Sequence, residues 1–190
     1  DTHWSDHRHQ LQLAYFSQDL RDEIDGFVFD PETFLFTAVN KDSDSKRQGL
    51  EVLFDTRLGK SLKLGASYTF TDATEKNADG QSVQEVRRPR HMGSISANYY
   101  FARDRANLNL NLRYTGSQKD VFFSPLTFTS ELVNIDAYTL LDIAASWKLT
   151  KSLELTGRVM NLLDENYEEI LGFARPGRAV YAGLRGQFDF

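Results

Sequence analysis

An antiparallel, all-β chain made of two-faced strands is predicted by three observations. Apolar and polar residues alternate with period two from one end of the sequence to the other. The links between the alternating segments are short and long in turn. No segment of comparable length has a helical period, and no run approaches the roughly 18–20 consecutive apolar residues that a membrane helix needs.

The strands follow in order. Leu11, Leu13 and Tyr15 alternate with Gln10, Gln12 and Ala14, and Val52 and Phe54 with Glu51, Leu53 and Asp55. Leu62, Leu64, Ala66, Tyr68 and Phe70 alternate with Lys63, Gly65, Ser67, Thr69 and Thr71. Ile95, Ala97, Tyr99 and Phe101 then alternate with Ser94, Ser96, Asn98 and Tyr100, and Leu108, Leu110, Leu112 and Tyr114 with Asn107, Asn109, Asn111 and Arg113. Leu141, Ile143, Ala145, Trp147 and Leu149 oppose Asp142, Ala144, Ser146 and Lys148, and Leu153, Leu155, Gly157 and Val159 oppose Glu154, Thr156, Arg158 and Met160. The last strand carries Val180, Ala182, Leu184, Gly186, Phe188 and Phe190 on one face, and Phe190 is the final residue. That makes about eight strands, each with one apolar and one polar face.

Tight turns fall near Gly59-Lys60, Arg103-Asp104-Arg105 and Thr150-Lys151, about 45 residues apart. Long polar links run from Glu23 to Thr33, Asp72 to Arg88, Gly116 to Asp136 and Asp164 to Gly177. Short turns at one end and long loops at the other describe a transmembrane antiparallel barrel of the outer-membrane type. Such a barrel also accounts for a negative mean hydropathy, because only every second residue meets lipid. A soluble sandwich or lipocalin-like barrel shares the alternation, but its apolar face needs mixed sizes to close-pack. Here the apolar faces are mostly Leu, with aromatics such as Tyr68, Phe70, Tyr99, Phe101, Tyr114 and Trp147 near strand ends, as interface girdles require.

Composition narrows the function. A net charge of −5 argues against nucleic acid as the main partner. With no cysteine there is no disulfide, thiolate metal site or cysteine nucleophile. No Gly-x-Ser-x-Gly elbow or other catalytic set stands out, so no enzyme activity and no resident cofactor are expected. No signal peptide is visible at Asp1, so an exported protein is expected to be present here in mature form or as a piece.

An ordered series of short motifs carries a resemblance. It comprises Arg47-Gln48-Gly49-Leu50-Glu51, Ala66-Ser67-Tyr68-Thr69-Phe70-Thr71-Asp72-Ala73, Arg88-Pro89-Arg90-His91 and Tyr138-Thr139-Leu140-Leu141-Asp142. It ends with Asn161-Leu162-Leu163-Asp164, Tyr167, Gly172, Pro176-Gly177-Arg178 and terminal Phe190. Over nearly the whole chain this series resembles the C-terminal portion of TonB-dependent outer-membrane receptors, with cobalamin and siderophore receptors nearest in character. The resemblance implies about eight C-terminal strands of a 22-stranded barrel closed by an N-terminal plug, the plug and about fourteen strands lying outside residues 1–190. It implies a receptor in the cell outer membrane that imports a scarce nutrient, such as siderophore-iron or cobalamin, driven by TonB acting on the plug. The implied partners are outer-membrane lipid and lipopolysaccharide, the rest of the receptor, the TonB complex and a metal-chelate or vitamin ligand. A standalone eight-stranded barrel with a structural or adhesive role is the alternative, since eight is a permitted strand number.

Candidate site residues fall in three groups. Arg87, Arg88 and Arg90 suit lipopolysaccharide phosphates or an anionic chelate, or else pair with acids such as Glu85. Phe122, Phe123 and Phe128 lie in an apolar stretch inside a polar loop, a candidate ligand surface or a loop-packing element. Trp147, Phe188 and Phe190 are expected at the membrane interface, and Phe188 and Phe190 resemble the barrel-assembly signal. Asn161, Asp164, Tyr167, Pro176, Gly177 and Arg178 are expected to hold the terminal hairpin, with Asp164 and Glu168 as candidate partners of Arg178. His3, His7 and His9 read as polar residues at a strand start, because no fourth metal ligand is evident. Around Asp42 and Asp44 the EF-hand template fails, with Arg47 at the sixth position and Leu53 at the twelfth, so no metal is assigned.

Overall fold

Strand alternation becomes one ten-stranded antiparallel sheet, with two further two-stranded hairpins. The computed structural model describes residues 2–4, 8–30, 32–40, 44–77, 80–127 and 129–187. The strands are β1 (Thr2–Trp4), β2 (His9–Leu20), β3 (Ile24–Asp30), β4 (Leu35–Asn40), β5 (Ser45–Leu58), β6 (Leu62–Lys76) and β7 (Ser82–Gln84). They continue as β8 (His91–Phe101), β9 (Ala106–Thr115), β10 (Gln118–Ser124), β11 (Thr129–Ile135), β12 (Tyr138–Lys148), β13 (Leu153–Met160) and β14 (Ala179–Gly186). The main sheet runs β1-β2-β5-β6-β8-β9-β12-β13-β14, with β7 added beside β6. Among the described residues β1 pairs only with β2 and β14 only with β13, so the sheet is open at both edges.

The eight long strands of this sheet (β2, β5, β6, β8, β9, β12, β13 and β14) are the ones the alternation marks, and all but β13 run further toward the long links than the alternation does. Two links hold hairpins that the alternation misses, β3–β4 and β10–β11. Both combine β-branched and aromatic residues, which favour extended backbone, with the polar positions that make the segments read as loop.

Register fixes what each face does. One row across the sheet reads Thr56, Leu64, Ala97, Leu110, Ile143, Val159 and Val180. The row facing the other way reads Gln10, Asp55, Gly65, Ser96, Asn111 and Asp142. Among the described residues no protein layer covers the apolar rows: Leu13 is 61% exposed, Ile95 56% and Val180 72%. The buried apolar residues among those described are only Ala73, Ala106, Ile135 and Leu140. Among the described residues the large apolar side chains thus lie outside and almost none are buried, the arrangement expected of the apolar face of an outer-membrane barrel.

Aromatics mark the two borders of that face. Tyr99 stacks on Phe101 at 5.6 Å between centroids, and Phe101 meets Trp147 edge-on at 6.1 Å, next to the short turns. Toward the long links, the Tyr68 hydroxyl lies 2.8 Å from His91 Nδ1, and Phe70 packs on the same ring at 5.4 Å. Eight residues separate Leu62, the partner of Tyr99, from Phe70 on β6. At about 3.3 Å per residue and a tilt of about 40° the bands stand roughly 20 Å apart along the membrane normal, close to the roughly 25 Å of an outer-membrane apolar belt.

Candidate functional site at the long-loop end

The antiparallel order sends all four long links to one end of the sheet, and the polar wall contributes Arg47 on β5 directly beneath them. Arg47 Nη2 donates to Glu23 Oε1 at 2.6 Å, and its Nε donates to both Glu85 oxygens at 3.0 Å. Ser45 Oγ donates to the second Glu23 oxygen, and Arg88 Nε reaches Glu85 Oε2 at 3.4 Å. Glu85 and Ser45 are buried, and a buried carboxylate is tolerated when charged donors occupy its lone pairs. Gly49 keeps the strand register open here. A Cβ at this position would lie 2.2 Å from the Phe70 carbonyl oxygen and 2.5 Å from the Phe16 ring.

A second node lies beside the first. Asp120 on β10 is 0% exposed. Its Oδ1 accepts from Arg87 Nε at 2.9 Å and from the Val121 N–H at 2.8 Å, and its Oδ2 accepts from the Leu171 N–H at 2.8 Å. Burial alone pushes this carboxyl up, but the Leu171 and Val121 amides and the Arg87 charge together outweigh it and hold the group below the ordinary carboxylate value. The Arg87 N–H donates to the Lys119 carbonyl at 2.7 Å, and Gln118 Nε2 to the Glu169 carbonyl at 2.9 Å. Three long links are thus tied together through one carboxylate.

The terminal link is organised by its asparagine. Asn161 is buried with φ 49°. Its side chain accepts from the Glu165 N–H and donates to the Glu165 carbonyl, both at 2.9 Å, while its own N–H donates to Asp142 Oδ1 at 2.8 Å. Asp164 Oδ1 accepts from the Arg178 N–H at 2.8 Å, and the guanidinium of Arg178 lies 3.4 Å from Asp164 Oδ2. Gly177, between Pro176 and Arg178, leaves room for that carboxylate, since a Cβ there would lie 3.0 Å from Asp164 Oδ1. Between this link and the start of β12 opens a cleft of about 550 Å³. Tyr138 and Tyr167 form its aromatic wall, 4.5 Å between centroids, with Asp136, Glu165, Glu168 and Arg175 around them. Burial, then the Glu169 charge, raises the Tyr167 hydroxyl above the ordinary phenol value.

The sequence candidates are distributed as follows. Arg87, Arg88 and Arg90 are each about half exposed and paired with Asp120, Glu85 and Asp72 respectively. Phe122 and Phe123 are exposed on the β10–β11 hairpin, and Phe128 lies outside the described residues. Trp147 sits in the aromatic band on the short-turn side, while Phe188 and Phe190 lie outside the described residues. His7 and Asp42 also lie outside them, as does the side chain of His3, and the described residues contain no group of His, Cys, Asp or Glu arranged to hold a metal. Sequence reasoning missed Asp120, Glu23 and the Tyr138–Tyr167 wall. The one available signal was an acid placed directly before Val121-Phe122-Phe123, where a charge has to be matched if the run packs.

Comparison with known proteins identifies the architecture. The family model for the TonB dependent receptor-like β-barrel matches residues 2–162. The vitamin B12 transporter BtuB of Vibrio cholerae is 31% identical over 116 residues, 60% of this chain and 18% of that protein. BtuB of Vibrio vulnificus is 30% identical over 161 residues, 84% of this chain and 23% of the relative. The pyoverdine outer-membrane receptor FpvA of Pseudomonas aeruginosa PAO1, solved bound to pyoverdine, superposes with a TM-score of 0.78 at 19% identity, over 98% of this chain and 28% of that one. The chain therefore spans about a fifth of the length of the curated relatives it matches.

Proposed function

The chain belongs to the TonB-dependent receptor β-barrel family of the outer membrane, and on that premise we propose that it is the C-terminal part of the barrel of an active-transport receptor. The receptor imports a scarce nutrient chelate, such as siderophore-iron, cobalamin or a similar molecule, with energy delivered through TonB. The observation that supports this reading is an open sheet with a naked apolar outer face and a polar inner wall. Unpaired edges are not tolerated in lipid, so further strands complete the barrel. Inward residues such as Asn107, Asn109, Arg158 and Arg185 then face a plug or water, and the linked loops form part of the mouth that receives ligand. Lipopolysaccharide meets the outward rim just beyond the upper aromatic band, where Lys46, Gln48 and the Arg90–Asp72 pair lie.

Uptake tests the reading directly. The full-length receptor is placed in a Gram-negative host lacking its own receptors, with and without TonB. Labelled cyanocobalamin and a panel of ferric chelates are then supplied. Accumulation of at least one chelate that vanishes without TonB is expected. Accumulation of none, or accumulation indifferent to TonB, overturns the importer. A native polypeptide no heavier than this 21.7 kDa chain, with no partner chain, would instead favour a self-closed small barrel.

A further inference from the structure

We infer that a groove on the lipid-facing side of β6, β8 and β9 seats one acyl chain of a phosphorylated glycolipid, the membrane anchor of lipopolysaccharide, whose phosphate is held at Arg90 and His91. The inference rests on the outer-membrane barrel reading above and narrows its lipid partner to one molecule at one place. The groove holds about 340 Å³, is apolar, and has Phe54, Ala66, Tyr68, Gly93, Ile95 and Tyr114 in its lining. Register explains its shape. One row across the outer face reads Val52, Tyr68, Gly93 and Tyr114, and the next reads Phe54, Ala66, Ile95 and Leu112. Gly93 leaves a gap between two tyrosines, and Ala66 leaves a second between Phe54 and Ile95. The two gaps lie on adjacent strands in adjacent rows, so they join into one slot.

Gly93 calls for a reason. A glycine inside a strand weakens it, and it often marks a bulge, a tight bend or a place where a ligand comes close. Pairing with both neighbouring strands runs unbroken from Met92 to Ser94, so Gly93 marks no bulge, and its φ is not left-handed. What the missing side chain provides is room on the outer face. Polar groups stand at the end of the slot nearest the long links. The Tyr68 hydroxyl holds His91 Nδ1 at 2.8 Å, which leaves Nε2 without a hydrogen-bond partner among the described residues. Arg90, the residue before it, is half exposed and gives a single bond, from Nη2 to Asp72 Oδ1 at 3.2 Å. An exposed pair of this kind contributes little on its own, and the guanidinium keeps donors for a phosphate, which it suits in a bidentate fork. Three residues separate Gly93 from Arg90, roughly 10 Å of extended strand, so one lipid reaches the slot with its chain and the guanidinium with its head group. Orientation picks the lipid: the long links mark the extracellular end, where the outer leaflet carries the glycolipid.

The test is native mass spectrometry of the full-length receptor, folded in detergent free of lipopolysaccharide and titrated separately with lipid A, dephosphorylated lipid A and phosphatidylglycerol. One retained lipid A per receptor is expected, at a concentration about tenfold or more below that needed for either other lipid. Ala66→Trp fills the slot with an apolar ring and is expected to weaken lipid A retention by about tenfold. Ala97→Trp makes the same enlargement on the lipid face outside the slot and is expected to leave retention unchanged. Arg90→Ala should bring lipid A down to the level of its dephosphorylated form. Each variant is first shown to resist protease as the unmodified receptor does. Retention unchanged by Ala66→Trp, equal losses in Ala66→Trp and Ala97→Trp, or phosphatidylglycerol held as tightly as lipid A overturns the assignment. Retention is read without nutrient or TonB, so its failure leaves the importer standing, and failed uptake leaves the lipid site standing.

Discussion

Replacing Asp120 with Asn separates the loop node from the barrel that carries it. Oδ1 survives as an acceptor for the Val121 N–H, but the new amide NH₂ is set against the Leu171 N–H, which donates to Oδ2 at 2.8 Å. Arg87, half exposed, recovers hydration, so its ion pair contributes little to the loss. The main cost is one buried N–H left without an acceptor, about 2 kcal/mol, expressed as local opening because the node joins links and lies off the main sheet. Hydrogen exchange of the full-length receptor in detergent is expected to show residues 168–172 and 118–121 exchanging about thirtyfold faster, with β9 and β12 unchanged. The pH dependence has a definite sign. The carboxyl is held below its ordinary value, so its contribution is complete above that value and is lost only as pH falls through the depressed one. Exchange of the Leu171 amide in the unmodified receptor, corrected for intrinsic chemistry, should therefore stay flat from neutral pH down to about pH 4. Unchanged exchange at Leu171 in Asp120→Asn, or acceleration spread evenly over the sheet, refutes the keystone role.

Two further outcomes follow from the faces and the terminal link. Leu110 shares its row with Ala97 and Ile143 on the lipid face, so Leu110→Arg is expected to cost about 2–4 kcal/mol in urea titrations of the receptor folded in vesicles. Asn109→Arg, one residue away on the polar wall, should cost less than about 1 kcal/mol, and equal costs would mean that the faces are misassigned. At Asn161 the left-handed backbone and the side chain's two bonds to Glu165 separate cleanly. Asn161→Gly should weaken the local structure by about 1–3 kcal/mol through the orphaned Glu165 N–H, and Asn161→Ala by about 1 kcal/mol more through φ strain, both read from exchange of that amide. Identical values for Gly and Ala would remove backbone strain from the account.

The membrane wall was legible in sequence because its chemistry is periodic. Leu108, Leu110 and Leu112 against Asn107, Asn109 and Asn111 admit one facing, and a slip of one residue would put every asparagine in lipid. The short turns were legible for the same reason, since each is where a period stops. The loop end was not, because its bonds join residues far apart in the chain: Arg47 to Glu23 and Glu85, and Asp120 to Arg87 and Leu171. No local pattern records such partners. Arg88 shows the consequence. Its acid partner, Glu85, could be named from sequence, yet that carboxylate is shared with Arg47 and buried by the packing of loops whose strands the alternation did not reveal. Terminal motifs fall between these cases. Asn161 and Asp164 each bind backbone a few residues away or across the returning strand, so a short signature captures the link. The lining of the cleft beside it depends on where the β10–β11 hairpin delivers the chain into β12, which is set by tertiary contacts that a single sequence does not display.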